Sequence, residues 1–335
     1  MTDSTLWRDD DPEVFRGTIL AAAERLGVQP LAVEKDYWVC GALRAITTRR
    51  PGEVVFKGGT SLEKLRIIRR FSEDLDLLVI GQYPSKNAEQ RALRTLLTTA
   101  AEATGAEPTG VIAGGSSGSF HRSGYLSPPL EHRGEPGAIA DPAAILVELG
   151  QSGGPNPHAP HPVTSLLARE LAGSGFDTSA WNDLASFDVP ILHPGRTLLE
   201  KLLRVNNFAA DPDAAASPHG WPRIARQLYD IYALLRDPSV RELLADKSLV
   251  ADILASAREV SAAFGKTDLP TPAGGFAASP AFDATSPFAD RLRAEHDAAM
   301  RDLYYGTDAP PSFGDILAQV RADAALLEVK PQVVV

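Results

Sequence analysis

Two aspartates, Asp74 and Asp76, stand two residues apart at the start of the apolar run Leu75-Asp76-Leu77-Leu78-Val79-Ile80. Such a run predicts a strand, and a strand's period of two sends both carboxylates to one side. Their natural ligand is a divalent cation that prefers oxygen, and Mg²⁺ fits best. Upstream, Val54-Val55-Phe56 predicts another short strand, turned by Lys57-Gly58-Gly59-Thr60-Ser61. An amphipathic helix is expected next, with Leu62, Leu65, Ile68 and Phe71 on one face. A glycine turn that opens a helix offers free N–H groups and a positive dipole end, which favour phosphate. A phosphate cradle and a two-carboxylate metal site on adjacent strands are the working parts of phosphoryl or nucleotidyl transfer.

Other residues fit around that core. Ala144 to Gly150 is an apolar run between Pro142 and Gly150, interrupted by the single carboxylate of Glu148. A charge in a buried strand is costly unless paired or bound to metal, so Glu148 is either a third metal ligand or a strand-end glutamate reaching solvent. Lys201 and Asp230 lie on two predicted helices, 194–204 and 223–236. They read as an ion pair, as two solvated faces, or as a lysine that offsets triphosphate charge beside an aspartate that fixes it or accepts a proton. His158 and His161 have no cysteine or third histidine at zinc-ligand spacing.

The stretch from Phe56 to Leu62, followed by Arg70 to Asp76, resembles the AbiEii/AbiGii toxin family, a MenT-like branch of the polymerase-β-type nucleotidyltransferases. That family carries F-K-G-G-T-S-L and then R-F-S-E-D-hydrophobic-D, and fourteen residues separate Gly59 from Asp74 here. Glu34-Lys35-Asp36-Tyr37-Trp38 resembles its upstream E-K-D segment; the plainer reading is a charge cluster on a helix surface. Glu200-Lys201-Leu202 and Arg226 to Tyr232 resemble two later motifs, with Gln227 where histidine is common. The resemblance implies Asp74, Asp76 and Glu148 as metal ligands, with Asp74, Asp76, Lys201 and Asp230 as the catalytic set. It implies Lys57, Gly58, Gly59, Thr60, Ser61 and Ser72 as the nucleotide-binding set, with Mg²⁺ and a nucleoside triphosphate as cofactors. The implied activity is that of a toxin in a toxin–antitoxin or phage-defence system. It would move a nucleotide onto an RNA 3′ end, most specifically tRNA, and be held by a cognate antitoxin. Two rivals stand beside this: a small-molecule nucleotidyltransferase of the aminoglycoside type, and a non-catalytic module with the same fold. Retention of both aspartates speaks against the module.

The elements that must position these residues predict an α/β (α+β) chain. Residues 1–150 form a nucleotidyltransferase domain with N-terminal helices, and 151–335 a mainly helical C-terminal domain. Asp11-Pro12-Glu13 starts a helix that stops at Gly27, and a second helix runs from about Pro30 to Pro51. Residues 87–104 read as a helix, and 111–126 as a strand pair broken at a glycine-serine tip. Residues 151–162, rich in glycine and proline, read as a linker or long loop.

Composition narrows the setting. One cysteine, Cys40, allows no internal disulfide and suits a reducing cytoplasm. The N-terminal stretch has no apolar signal segment and no run is long enough to cross a membrane, so no membrane partner is expected. A net charge of −10 argues against a protein coated in nucleic acid. Arg44, Arg49, Arg50, Lys64, Arg66, Arg69 and Arg70 nevertheless cluster in sequence near the glycine turn and are expected to track a phosphate backbone.

Overall fold

The computed structural model describes residues 6–114, 121–133, 141–150, 154–212, 220–263 and 268–329. The chain divides into two compact units, 1–151 with 158–191, and 152–157 with 192–335. The first unit thus extends well past residue 150, where the sequence pattern suggests a boundary.

In the first unit the order is α1 (Trp7–Asp10), α2 (Pro12–Leu26), α3 (Pro30–Arg49), β1 (Val54–Lys57), α4 (Gly58–Lys64), β2 (Leu75–Val79) and α5 (Lys86–Thr104). Then come β3 (Pro108–Gly114), β4 (His121–Leu126), β5 (Ile145–Gly150), β6 (His158–Val163), α6 (Leu166–Gly173) and β7 (Phe187–Leu192). The strands form one seven-stranded sheet in the order β3-β4-β5-β2-β1-β7-β6. β1 and β2 are antiparallel, while β2 pairs parallel with β5 and β1 parallel with β7, so the sheet is mixed.

Local chemistry accounts for the helix ends. The Asp11 carboxylate accepts from the backbone N–H of Glu13 and Val14, and Gly27 closes α2 with φ 69°. Ser85 caps α5 in the same way, and Gly105 ends it with φ 63°. Leu75, Leu77 and Val79 of β2 are buried with Val147 and Leu149 of β5, while Asp76 and Glu148 between them stay half-buried. A side chain at Gly124, the register partner of Val147, would meet Leu97 of α5 at 3.1 Å. Helix α5 therefore covers the apolar face, and the carboxylates lie on the other.

Three expectations need correction. Residues 58–61 are not a turn ahead of a helix but its first turn, and α4 ends at Lys64, with Ile68 and Phe71 buried from the following loop. Arg66, just past the end, holds φ 61°, rare for a residue with a Cβ. Part of the expected linker, His158–Val163, is strand β6. It lies at a rim of the sheet, where Pro160 and Pro162 cost no ladder hydrogen bond if their nitrogens face outward. Strand β7 was not anticipated, because Asp188 and Pro190 disguise its apolar pattern. The glycine-serine tip at 115–118 falls outside the described residues.

The second unit is helical, as expected: α7 (Pro194–Ala210), α8 (Gly220–Arg236), α9 (Pro238–Ala245), α10 (Lys247–Ala263), α11 (Ala289–Leu303), α12 (Phe313–Ala322) and α13 (Ala324–Leu327). Helix α8 is its centre, with α7, α11 and α12 packed on it. Ile224, Leu228, Ile231 and Leu235 of α8 are buried at the spacing that predicted them. Among the described residues no helix is long and apolar enough to cross a membrane.

Candidate active site

Strand β1 ends at Lys57 and the chain turns at once into α4 through Gly58, whose φ is 81°. Two constraints meet at Gly58. The left-handed backbone disfavours any Cβ, and a Cβ there would fall inside contact distance of the Asp76 carboxylate, with Cγ at 3.0 Å. At Gly59 a Cβ would lie 2.8 Å from Ser72 Oγ and 2.9 Å from Arg70 Nη2. The two glycines thus let the first turn of α4 lie directly on groups from the second half of the motif. Thr60 Oγ1 donates to the Asp74 carbonyl at 2.6 Å, and Ser61 Oγ donates to the Gly58 carbonyl at 2.9 Å. Both residues are buried, so their hydroxyls hold backbone in place. What a helix start offers an anion is its N–H groups.

The register places the polar side chains in one row. Lys57 on β1 is opposite Asp76 on β2, Asp76 is opposite Glu148 on β5, and Glu148 is opposite Ser123 on β4. Directly opposed residues project from the same face of a sheet. Asp74 lies just ahead of β2, two residues before Asp76, with its carbonyl held by Thr60. Sequence spacing brings Asp74 to Asp76; only strand pairing brings Glu148 and Lys57 to them. Ser123, buried in the same row, escapes sequence reasoning because nothing around it marks it out.

The donor set is all carboxylate oxygen, which suits Mg²⁺ or Mn²⁺ and not zinc. Among the described residues no three acidic, histidine or cysteine side chains converge into a ready metal cage. Asp74, Asp76 and Glu148 are among those that do not converge.

The Glu34-Lys35-Asp36 run on α3 is no surface cluster: all three residues are fully buried. Glu34 accepts from the backbone N–H of Glu131 and His132 at 2.8 and 2.9 Å, and pairs with His132 Nδ1. Lys35 Nζ donates to Glu73 Oε2 and to the Asp141 carbonyl, both at 2.5 Å. Asp36 pairs with Lys64 at the end of α4 and accepts from the Leu166 N–H at 2.6 Å. Burial opposes the Lys64 charge, but the carboxylates of Asp36 and Glu63 outweigh it and raise its pKa. Burial also pushes the Cys40 thiol up to about 12, which makes it a core residue and a poor nucleophile.

The basic cluster is largely committed elsewhere. Arg44 donates to the Ala185 carbonyl and stacks on Phe187, Arg49 pairs with Glu102, and Arg50 with Glu53. Arg70 is buried and donates to the Phe71 carbonyl at 3.1 Å. Arg49 and Arg50 also precede β1, at the opposite end of that strand from Lys57 and Gly58. Arg49, Arg66 and Arg69 of the set are exposed, and the last two lie on the loop after α4 rather than on a helix.

In the second unit, Lys201 Nζ of α7 meets Asp230 Oδ2 of α8 at 2.8 Å. Asp230 is fully buried while the Lys201 side chain keeps 12% of its surface exposed. Gln227, one turn before Asp230, is buried with Oε1 lacking a hydrogen-bond partner.

A glycine helix start laid on the first of two strand-borne carboxylates, within a mixed sheet flanked by helices, defines a nucleotidyltransferase. The model of one family, the nucleotidyl transferase AbiEii toxins of type IV toxin–antitoxin systems, matches residues 43–319. The chain belongs to that family. The match begins after Glu34-Lys35-Asp36 and includes Asp74, Asp76, Glu148, Lys201 and Asp230. Among solved structures, JHP933 from Helicobacter pylori is similar at 13% identity and a TM-score of 0.35, covering 89% of this chain and 95% of that one. A candidate nucleotidyltransferase from H. pylori is similar at 12% identity and a TM-score of 0.33, covering 89% of this chain and 97% of that one. No curated protein sequence matches the chain.

Proposed function

We propose that this nucleotidyltransferase is Mg²⁺-dependent and moves a nucleotide from a nucleoside triphosphate to the 3′ end of an RNA, with tRNA as the acceptor. The observation that carries the metal and nucleotide part is the row Lys57, Asp76, Glu148, with Gly58 backed onto the Asp76 carboxylate. Asp76 and Glu148, with Asp74 beside them, are the metal-holding carboxylates. The metal would polarise the reacting phosphate and offset the charge of the pyrophosphate leaving group. Gly58 and Gly59 bring main-chain N–H groups to the phosphates, Thr60 and Ser61 hold that backbone in shape, and Ser72 lies beside Gly59. Lys57 contributes positive charge beside Asp76. Lys201, oriented by Asp230, is assigned to the triphosphate on the strength of the family resemblance.

The acceptor rests on family membership and on the resemblance to toxins that act on tRNA. Most of the arginine cluster is paired internally and adds little to an RNA-binding face. With a net charge of −10, RNA binding would be local and salt-sensitive. A cognate antitoxin is the expected protein partner. The test is incubation with each labelled triphosphate, Mg²⁺ and total tRNA. Label is expected on intact tRNA, on none whose 3′-terminal ribose has been oxidised with periodate, and nowhere when EDTA is present. Equal labelling of oxidised tRNA overturns 3′ transfer, and label on a small molecule such as an aminoglycoside instead overturns the RNA acceptor.

A further inference from the structure

The metal-holding carboxylates sit on two strands whose starts are far apart in sequence, and one buried ammonium touches the lead-in of both. Lys35 donates to the carboxylate of Glu73, which stands between Ser72 and Asp74 just before β2. It also donates to the carbonyl of Asp141, in the segment that leads into β5 and Glu148. Its side chain is 0% exposed, so it has no path to a substrate. Stability alone is a weak reason for such a lysine. A buried ion pair costs desolvation of both groups, and apolar residues of similar size often serve as well. Apolar residues could not bind one acidic segment and one carbonyl simultaneously and fix their separation.

We infer that Lys35 is a positioning residue for the nucleotidyl-transfer site: through Glu73 and the Asp141 carbonyl it sets the relative placement of the strands that carry Asp76 and Glu148. This inference rests on the metal reading of the preceding section. The neighbouring Asp36 ties the other component, since it holds Lys64 at the far end of the helix that Gly58 begins. Successive residues of α3 therefore brace the carboxylate strands and the glycine helix separately.

Removing Lys35 alone takes the cation from the buried Glu73 carboxylate, and loss of fold would then mask any effect on the site. The decisive protein is the double variant Lys35→Met/Glu73→Met, in which both charges are gone and the volume is kept. It is compared with wild type and with Lys35→Arg in three measurements. These are amide hydrogen exchange of β2 and β5, Mn²⁺ binding with a non-hydrolysable triphosphate by electron paramagnetic resonance, and kcat with KM. The expected double variant melts close to wild type, yet exchanges faster at 74–76 and 145–148 and binds Mn²⁺–nucleotide about 10- to 100-fold more weakly, as loss of outer supports around a metal usually does. Its kcat falls while KM for the acceptor is unchanged, and Lys35→Arg recovers part of both losses. A folded double variant with wild-type exchange in both strands overturns the inference, whatever its activity. If wild type binds no Mn²⁺–nucleotide, the metal reading fails, and the exchange result still decides whether Lys35 places the strands.

Discussion

Lys35 and Lys201 both meet a carboxylate on another element, at 2.5 Å from Glu73 and 2.8 Å from Asp230. Their surroundings differ. Lys35 is sealed from water and gives a second hydrogen bond to a main-chain carbonyl, so its donors are directed at fixed protein groups. Lys201 keeps an exposed portion, while its aspartate is wholly buried. In the first pair the lysine is the fixed strut; in the second the aspartate is fixed and the lysine presented. On the proposed reading, the first pair holds the site together and the second meets the triphosphate.

The comparison can be broken or sharpened in order of effect. Asp76→Ala supplies the reference for a purely chemical loss. Transfer is expected to drop by at least about 10³-fold, equivalent to several kcal/mol of transition-state stabilisation, with the melting temperature little changed. Undiminished activity in the folded variant removes Asp76 from the site. Lys35→Met is the reference for a structural loss, expected to cost about 3–5 kcal/mol in urea unfolding because the buried Glu73 carboxylate loses its cation. A cost under about 1 kcal/mol would show that the strut is dispensable. Lys201→Ala should separate the two roles, lowering kcat/KM for the triphosphate about 10²-fold or more, as loss of one preorganised donor does. If stability falls and the surviving folded fraction turns over normally, Lys201 is a strut as well. The smallest effect is read at Cys40, one turn beyond Asp36 on α3. Its buried thiol should resist alkylation in wild type, and Lys35→Met should speed labelling by opening that helix locally. Equal labelling rates would confine the brace to the strands.

The parts that sequence reading found were those whose neighbours in space are neighbours in the chain. Asp11 and Gly27 bound α2 through bonds a few residues long, and the Gly58-Gly59 turn and Asp74-x-Asp76 fall within one strand–helix–strand unit. The buried state of Glu34, Lys35 and Asp36 was not legible. Their partners are 97, 38 and 130 residues away at Glu131, Glu73 and Leu166, so local periodicity shows only three adjacent charges. The same distance effect hid the fate of Arg44, whose partner is the Ala185 carbonyl 141 residues on. Glu148 was found because a lone charge in an apolar run needs a reason, but its alignment with Asp76 is a property of strand pairing alone. β6 and β7 were missed because proline weakens a strand signal even where a rim or a single bridging pair tolerates it.

The two rims of the sheet also differ in how they meet other chains. At the β6 rim, Pro160 and Pro162 have the same parity, so their nitrogens share one side and that side offers no N–H at either position. At the β3 rim, Val111 and Ile112 are exposed and the only proline is the first residue of the strand. With those nitrogens outward, a second copy would add a strand at the β3 rim more readily than at the β6 rim. Joining like rim to like rim closes after two copies, whereas two receptive rims would continue into a filament. With their nitrogens outward, the prolines that obscure β6 in the sequence would end such growth at that rim.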